Sequence, residues 1–106
     1  MSEFQTQAEF EANLNSTFVV KTDSPQPIEL KLIEVSHHQS DVHPRPDMER
    51  FSVFFSGPGD VFLPQSLYSL SHEKMGEFDI FLVPIGKESD GYRYEAIYNF
   101  YKTQPQ

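Results

Sequence analysis

Residues 62–100, FLPQSLYSLSHEKMGEFDIFLVPIGKESDGYRYEAIYNF, decide the fold of this chain. Within them, EFDIFLVP and YRYEAIYNF alternate apolar and polar side chains, the period-two pattern of β-strands with one buried face. LPQSLYSLS predicts a further strand, which Pro64 starts or places at an edge. Gly76 and the pair Asp90-Gly91 stand between these runs and suit hairpin turns, because glycine accepts positive φ. The stretch therefore predicts three antiparallel strands joined by two hairpins.

Earlier parts of the chain carry the same signal more briefly. Strands are predicted at residues 17–21, which are rich in β-branched and aromatic side chains, at residues 51–56 and from Ile28 onward. In the run from Ile28 the apolar side chains change parity, and a β-bulge near Leu32 or Ile33 would reconcile its two halves. The whole chain then holds about six strands.

A short helix is predicted before the strands. Thr6 is followed three residues later by Glu9, which is a capping-box pattern, and Phe10 and Leu14 stand at helical spacing. These residues predict a helix over residues 7–14.

The order of these elements predicts the fold class. One short helix followed by about six strands with turns between them indicates a mainly β fold, a small antiparallel β-sandwich or barrel. The helix is expected to cover an open end or an edge. All 106 residues form one predicted domain, with the β part over 17–100 and a polar tail over 101–106.

Composition and charge exclude several classes of function. The chain has 10 Phe and 5 Tyr but no Trp and no Cys, so disulfides, thiolate metal sites and cysteine nucleophiles are removed. The acidic N-terminus does not resemble a signal peptide, and no apolar run approaches the roughly 20 residues of a membrane span. A cytoplasmic protein without membrane contact is expected. The net charge of −8 with scattered Lys and Arg disfavours nucleic acid as a partner.

The second half of the chain resembles a known family over residues 51–100. The likeness lies in FSVFFSGPGD, LPQSLYSLSHEKMGEFDIFLVPIG and DGYRYEAIYN. The matching positions are Leu63, Pro64, Gln65, Tyr68, His72, Gly76, Phe81, Leu82, Pro84, Gly86, Asp90, Gly91, Tyr94, Glu95, Ala96 and Asn99. These motifs resemble a family of small bacterial domains of unknown function, DUF6916. The resemblance implies a bacterial β-domain and assigns no catalytic residue.

Residues 36–50 hold the sharpest candidate for a metal site. The segment is polar, contains two prolines and has no periodicity, which predicts a long loop. His37, Asp41 and His43, with His38 beside them, offer imidazoles and a carboxylate that suit Zn²⁺, Ni²⁺ or Cu²⁺. Their spacing matches no standard site, and adjacent histidines on a strand point to opposite faces. The alternative is a solvated loop whose histidines change charge at about pH 6.5.

No catalytic constellation stands out. His72 with Ser69 or Ser71 and Glu73 lacks the Gly-x-Ser-x-Gly turn that exposes a nucleophilic serine, so His72 is expected to hydrogen-bond the turn after it. Glu95 is a single carboxylate, and a structural ion pair with Arg93 is expected for it. We therefore predict no catalytic residues and no cofactor, and an enzyme is disfavoured.

The best functional signal is the parity of four apolar residues. Phe54, Phe81, Val83 and Ile97 have the parity opposite to that of their neighbours in the core, so a sandwich would place some of them outside. Exposed apolar patches mark interfaces. Alternatively, irregular barrel strands bury these residues or the helix packs over them.

Two hypotheses follow from the sequence. The first is a non-enzymatic domain that acts through a protein partner or self-association, as an accessory or structural part of a bacterial or phage-derived assembly. The second is a small-molecule or metal-binding β-module that uses a barrel mouth or the loop over residues 36–50.

Overall fold

The computed structural model describes residues 6–22, 26–37 and 48–101, with backbone alone for 37, 48–49 and 99–101. One helix precedes six strands. They are α1 (Gln7–Ala12), β1 (Thr17–Val20), β2 (Ile28–His37), β3 (Met48–Gly57), β4 (Ser66–His72), β5 (Gly76–Glu88) and β6 (Gly91–Tyr101).

Helix α1 begins at the predicted capping box. The Thr6 hydroxyl accepts a hydrogen bond from the Glu9 backbone N–H at 3.2 Å, and the Glu9 carboxylate accepts one from the Thr6 N–H at 3.0 Å. The helix ends two residues earlier than predicted, because the Asn13 side chain donates to the Glu9 carbonyl and Asn15 adopts a positive φ of 69°. Within the described residues, no helix has the length and apolar character that a membrane crossing requires.

The six strands form a closed antiparallel barrel in the order β1-β2-β3-β6-β5-β4. The register between β2 and β3 shifts between Leu32 and Glu34, which confirms the predicted bulge. Leu32 is buried on one side of the shift and Val35 packs against the core on the other. A second shift, between Pro84 and Gly86 in the β5–β6 ladder, was not predicted.

Both predicted hairpins are present, and the strands around them run further than the apolar pattern indicates. Gly76 has a φ of 79° and Gly91 a φ of 144°. β3 pairs with β6 from Met48↔Tyr101 to Gly57↔Tyr92, so both strands include polar residues. Residues 36, 37 and 48–50, predicted as loop, therefore lie in strands, and residue 101 ends β6 instead of beginning the tail. Backbone pairing extends the ladder where side-chain alternation gives no signal.

Helix α1 covers one end of the barrel. Phe10 is its buried residue and is fully enclosed, with ring centroids 5.4 Å from Tyr98, 6.0 Å from Phe51 and 6.1 Å from Phe78. These three rings come from β6, β3 and β5, so one side chain joins strands from different parts of the barrel. Of the two expected positions for the helix, an open end or an edge, the closed barrel leaves the end.

The connection from β3 to β4 covers the other end. Because β3 and β4 are not neighbours in the barrel, this segment has to cross from one side to the other. Leu63 is buried there, and its backbone N–H donates to the Tyr94 hydroxyl at 3.0 Å. The strand predicted from Leu63 begins instead at Ser66, because the Leu63 N–H bonds to a side chain and Pro64 has no N–H to contribute to a ladder.

Candidate functional site

The four residues selected by parity lie on the outside of the barrel. The exposed fraction is 48% for Phe81 and 67% for Ile97, while Phe54 and Val83 are half-buried. Neither alternative, burial by irregular strands or cover by the helix, hides Phe81 or Ile97. Parity predicted that some of the four face outward, and Phe81 and Ile97 do.

Leu67 was not selected from the sequence and belongs to the same surface. Its exposed fraction is 61%, and it is the direct partner of Phe81 across the β4–β5 ladder. The signal was present, because Tyr68 and Leu70 have the parity that faces the core and Leu67 has the other. Ile85 is also exposed, but it lies in the register shift beyond the end of the predicted strand.

Strand pairing makes these residues neighbours on one face. Glu95 on β6 pairs with Val83 on β5 and with Phe54 on β3. Directly paired residues have Cβ atoms about 4.5–5.5 Å apart. Phe81 lies two residues before Val83 on β5, and Ile97 lies two residues after Glu95 on β6. Because β5 and β6 are antiparallel, both lie on the same side of the row formed by Phe54, Glu95 and Val83. We call the surface formed by Phe54, Leu67, Phe81, Val83 and Ile97 the outer apolar patch.

Glu95 lies within this patch, and its predicted ion pair with Arg93 is wrong. The Arg93 guanidinium contacts Glu88 Oε1 at 2.8 Å and Asp90 Oδ1 at 3.7 Å. Glu88 is the last residue of β5, and Asp90 lies in the turn between β5 and β6. Both carboxylates therefore hold the guanidinium of Arg93 towards the turn. No cation of the described residues forms an ion pair with the half-buried Glu95.

His72 has a structural role at the end of the barrel near α1. Its Nδ1 accepts hydrogen bonds from the backbone N–H groups of Lys74 at 3.0 Å and Met75 at 3.1 Å. This confirms the prediction that His72 bonds the turn after it. The neutral ring then carries its proton on Nε2, which lies 2.8 Å from Ser16 Oγ, and the ring centroid lies 4.2 Å from that of Phe18.

The same hydrogen bonds are incompatible with the hydrolase hypothesis for His72. A protonated Nε2 donates to Ser16 and cannot accept the serine proton as a general base must. Ser69, one of the two serines considered, donates instead to Asp79 Oδ1 at 2.6 Å. Backbone N–H groups, and not a carboxylate, face Nδ1. The arrangement holds a turn together and does not activate a nucleophile.

The turn that His72 holds is expected to weaken in acid. Burial lowers the pKa of His72; Glu73 raises it and Lys74 lowers it to smaller extents. A lowered pKa in the folded state means that the unfolded chain binds the proton more readily. The contribution of His72 to stability is therefore fully present above its unfolded pKa of about 6.5 and is lost as the pH falls through its folded pKa.

The variant His72→Asn tests this pH dependence. An asparagine side-chain oxygen can accept from the same turn N–H groups and does not titrate. We expect the free energy of unfolding of the native protein, measured in urea, to fall more steeply than that of the variant between about pH 7.5 and about pH 5. Parallel curves would show that another group sets the acid sensitivity, since the other three histidines are present in both proteins.

Comparison with known proteins identifies the family. Residues 5–98 match a family described as a domain of unknown function, DUF6916. The chain belongs to this family. No curated protein and no solved structure matches the chain significantly. The DUF6916 match confirms the resemblance of residues 51–100 and extends it over the helix and the first two strands.

The predicted metal ligands of this DUF6916 domain are not tested by the structure. Asp41 and His43, with His38, lie outside the described residues, and only the backbone of His37, the last residue of β2, is described. Among the side chains that are described, no group of three His, Asp or Glu could hold a metal ion. The metal hypothesis for the loop stays a prediction.

The DUF6916 barrel also has a surface groove of about 440 Å³. Its lining includes Thr17, Lys31, Gly57 and Asp90, and it shares no residue with the polar segment over residues 36–50. The groove therefore adds nothing in favour of a ligand site on that segment. The two ends of the barrel are covered by α1 and by the β3–β4 connection, so neither end favours the hypothesis of an open barrel mouth.

Proposed function

We propose that this domain is a non-enzymatic module that acts through protein–protein contact, as an accessory or structural part of a larger bacterial or phage-derived assembly. The observation that supports this function is the outer apolar patch. Its members come from four strands that are consecutive in the barrel, so the exposed apolar side chains form one surface instead of isolated residues. Contiguous exposed apolar surface marks interaction sites on soluble proteins.

The outer apolar patch is separate from the core of the barrel. Val53, Ile80, Leu82 and Ala96, on the other side of the same strands, are buried. Burying the exposed parts of Leu67, Phe81 and Ile97 against a partner would contribute on the order of 3 kcal/mol before the cost of association. Side chains that stabilise a complex and not the monomer are the expected signature of a docking surface.

The variant Phe81→Asp tests the proposal. It places a charge in the patch, and since Phe81 points outward we expect the free energy of unfolding to change by about 1 kcal/mol or less. The tagged native protein and the variant are used to capture partners from an extract of the native host, and captured proteins are identified by mass spectrometry. We expect a specific protein that the native domain retains and Phe81→Asp loses.

Leu14→Asp is the matched control. Leu14, like Phe81, is an exposed apolar residue, but it follows α1 and belongs to none of the strands that carry the outer apolar patch. Circular dichroism checks that both variants keep the fold, and light scattering detects self-association. Equal capture by native protein and Phe81→Asp, or equal loss with Leu14→Asp, contradicts the proposal. In that case, the polar segment over residues 36–50 becomes the leading surface.

A further inference from the structure

Glu95 sets a chemical requirement on whatever covers the outer apolar patch. Glu95 is a half-buried residue between Val83 and Phe54, its direct partners on the two neighbouring strands. Arg93 is two residues away on the same strand, but its guanidinium contacts Glu88 and Asp90. Among the described residues, this leaves Glu95 without an ion pair in the row that borders the outer apolar patch.

A partner that covers the patch removes water from this carboxylate. Desolvating a carboxylate without supplying hydrogen bonds is strongly unfavourable, whereas a guanidinium or ammonium group placed against it compensates. Two more carboxylates border the patch and point to the same chemistry. Glu34 is exposed and pairs with Phe54, and Asp79 is exposed two residues before Phe81 on β5.

We infer that the partner is a segment of another protein that places an Arg or Lys side chain against Glu95, with apolar side chains around it that cover Phe81 and its neighbours. This inference rests on the proposed function. The net charge of −8 favours the same partner, because a basic segment is attracted to the domain over a distance.

A second copy of the chain fits this surface less well. A twofold-symmetric contact through the patch brings together the same surface of both copies, so each Glu95 approaches a surface that itself carries Glu95, Glu34 and Asp79. Two chains that each carry a charge of −8 also repel each other. Arg50, four residues before Phe54 on β3, is an exposed cation that could offset part of this repulsion.

A library of short random peptides displayed on phage tests the inference. Selections are run in parallel against the native domain, Phe81→Asp and Glu95→Gln, in which the amide keeps the shape of the carboxylate and removes its charge. We expect peptides that need Phe81 and combine Arg or Lys with aromatic or aliphatic residues. Their affinity should fall about tenfold or more with Glu95→Gln and should fall with added salt.

The other outcomes are distinguishable. Peptides that need Phe81 but carry no basic residue, or bind Glu95→Gln as tightly as the native domain, overturn the inference and leave the proposed function standing. If no peptide depends on Phe81, both fail. Self-association in light scattering that Phe81→Asp abolishes identifies a second copy as the occupant and also overturns the inference.

Discussion

Replacing Phe10 with alanine is expected to lower the free energy of unfolding by about 3–5 kcal/mol, the loss typical of a phenylalanine removed from a core. Phe10 is fully buried and lies within 6.3 Å, between ring centroids, of Phe18, Phe51, Phe78 and Tyr98. A six-residue helix has no stability of its own, so α1 is held in place by this side chain.

The measurement is urea-induced unfolding of the native domain and Phe10→Ala, with Glu11→Ala as the control on the same helix. Glu11 is exposed, and its removal is expected to change the free energy of unfolding by about 0.5 kcal/mol or less. A loss below about 1 kcal/mol for Phe10→Ala would contradict the role of α1 as the cover of this end of the barrel. Since domains of this size have about 5–15 kcal/mol of stability, the expected loss is a large part of the total.

Replacing Gly91 with alanine is expected to lower the free energy of unfolding by about 3 kcal/mol or more. Gly91 has a φ of 144°, which side chains disfavour, and an added Cβ would lie 1.9 Å from the carbonyl oxygen of Gly57. That oxygen belongs to the backbone of β3, so it cannot move aside without disturbing the β3–β6 ladder. The strained backbone conformation at residue 91 and the collision of the added Cβ with Gly57 therefore both destabilise the variant.

Two other glycines separate these two causes. Gly76 has a φ of 79° and open space around an added Cβ, so Gly76→Ala should show strain alone, about 1 kcal/mol. Gly86 has neither a positive φ nor a neighbour within 4 Å, so Gly86→Ala should be nearly neutral. Unfolding in urea should rank the losses Gly91, Gly76, Gly86 in descending order. If Gly91→Ala is at least as stable as Gly76→Ala, the collision of the added Cβ with the Gly57 carbonyl does not destabilise the variant.

The alternation of apolar and polar residues predicted most of the strands of the fold. It separated the buried Phe78, Ile80 and Leu82 from the exposed Phe81, and the change of parity after Leu32 located the bulge. The sequence did not decide between a β-sandwich and a closed β-barrel. Closure depends on the pairing of β1 with β4, where Val19 meets Ser71, a contact between distant parts of the chain that no local pattern encodes.

The site was only partly predictable, for a related reason. Parity identifies which side chains point outward, but it does not say which charged group a given residue contacts. Arg93 pairs with Glu88 and Asp90 because the hairpin brings them to it, and this choice leaves Glu95 without an ion pair among the described residues. Leu67 has the outward parity in the sequence, but its position beside Phe81 follows only from the register of β4 and β5.

Photo-crosslinking shows directly whether the outer apolar patch contacts another protein. A photoreactive phenylalanine analogue is placed at Phe81 in one protein and at Leu14 in another, and both are irradiated in an extract of the native host. We expect a discrete crosslinked species of higher mass from position 81 that position 14 does not give. No crosslink from position 81, or the same products from both positions, would contradict the proposed contact.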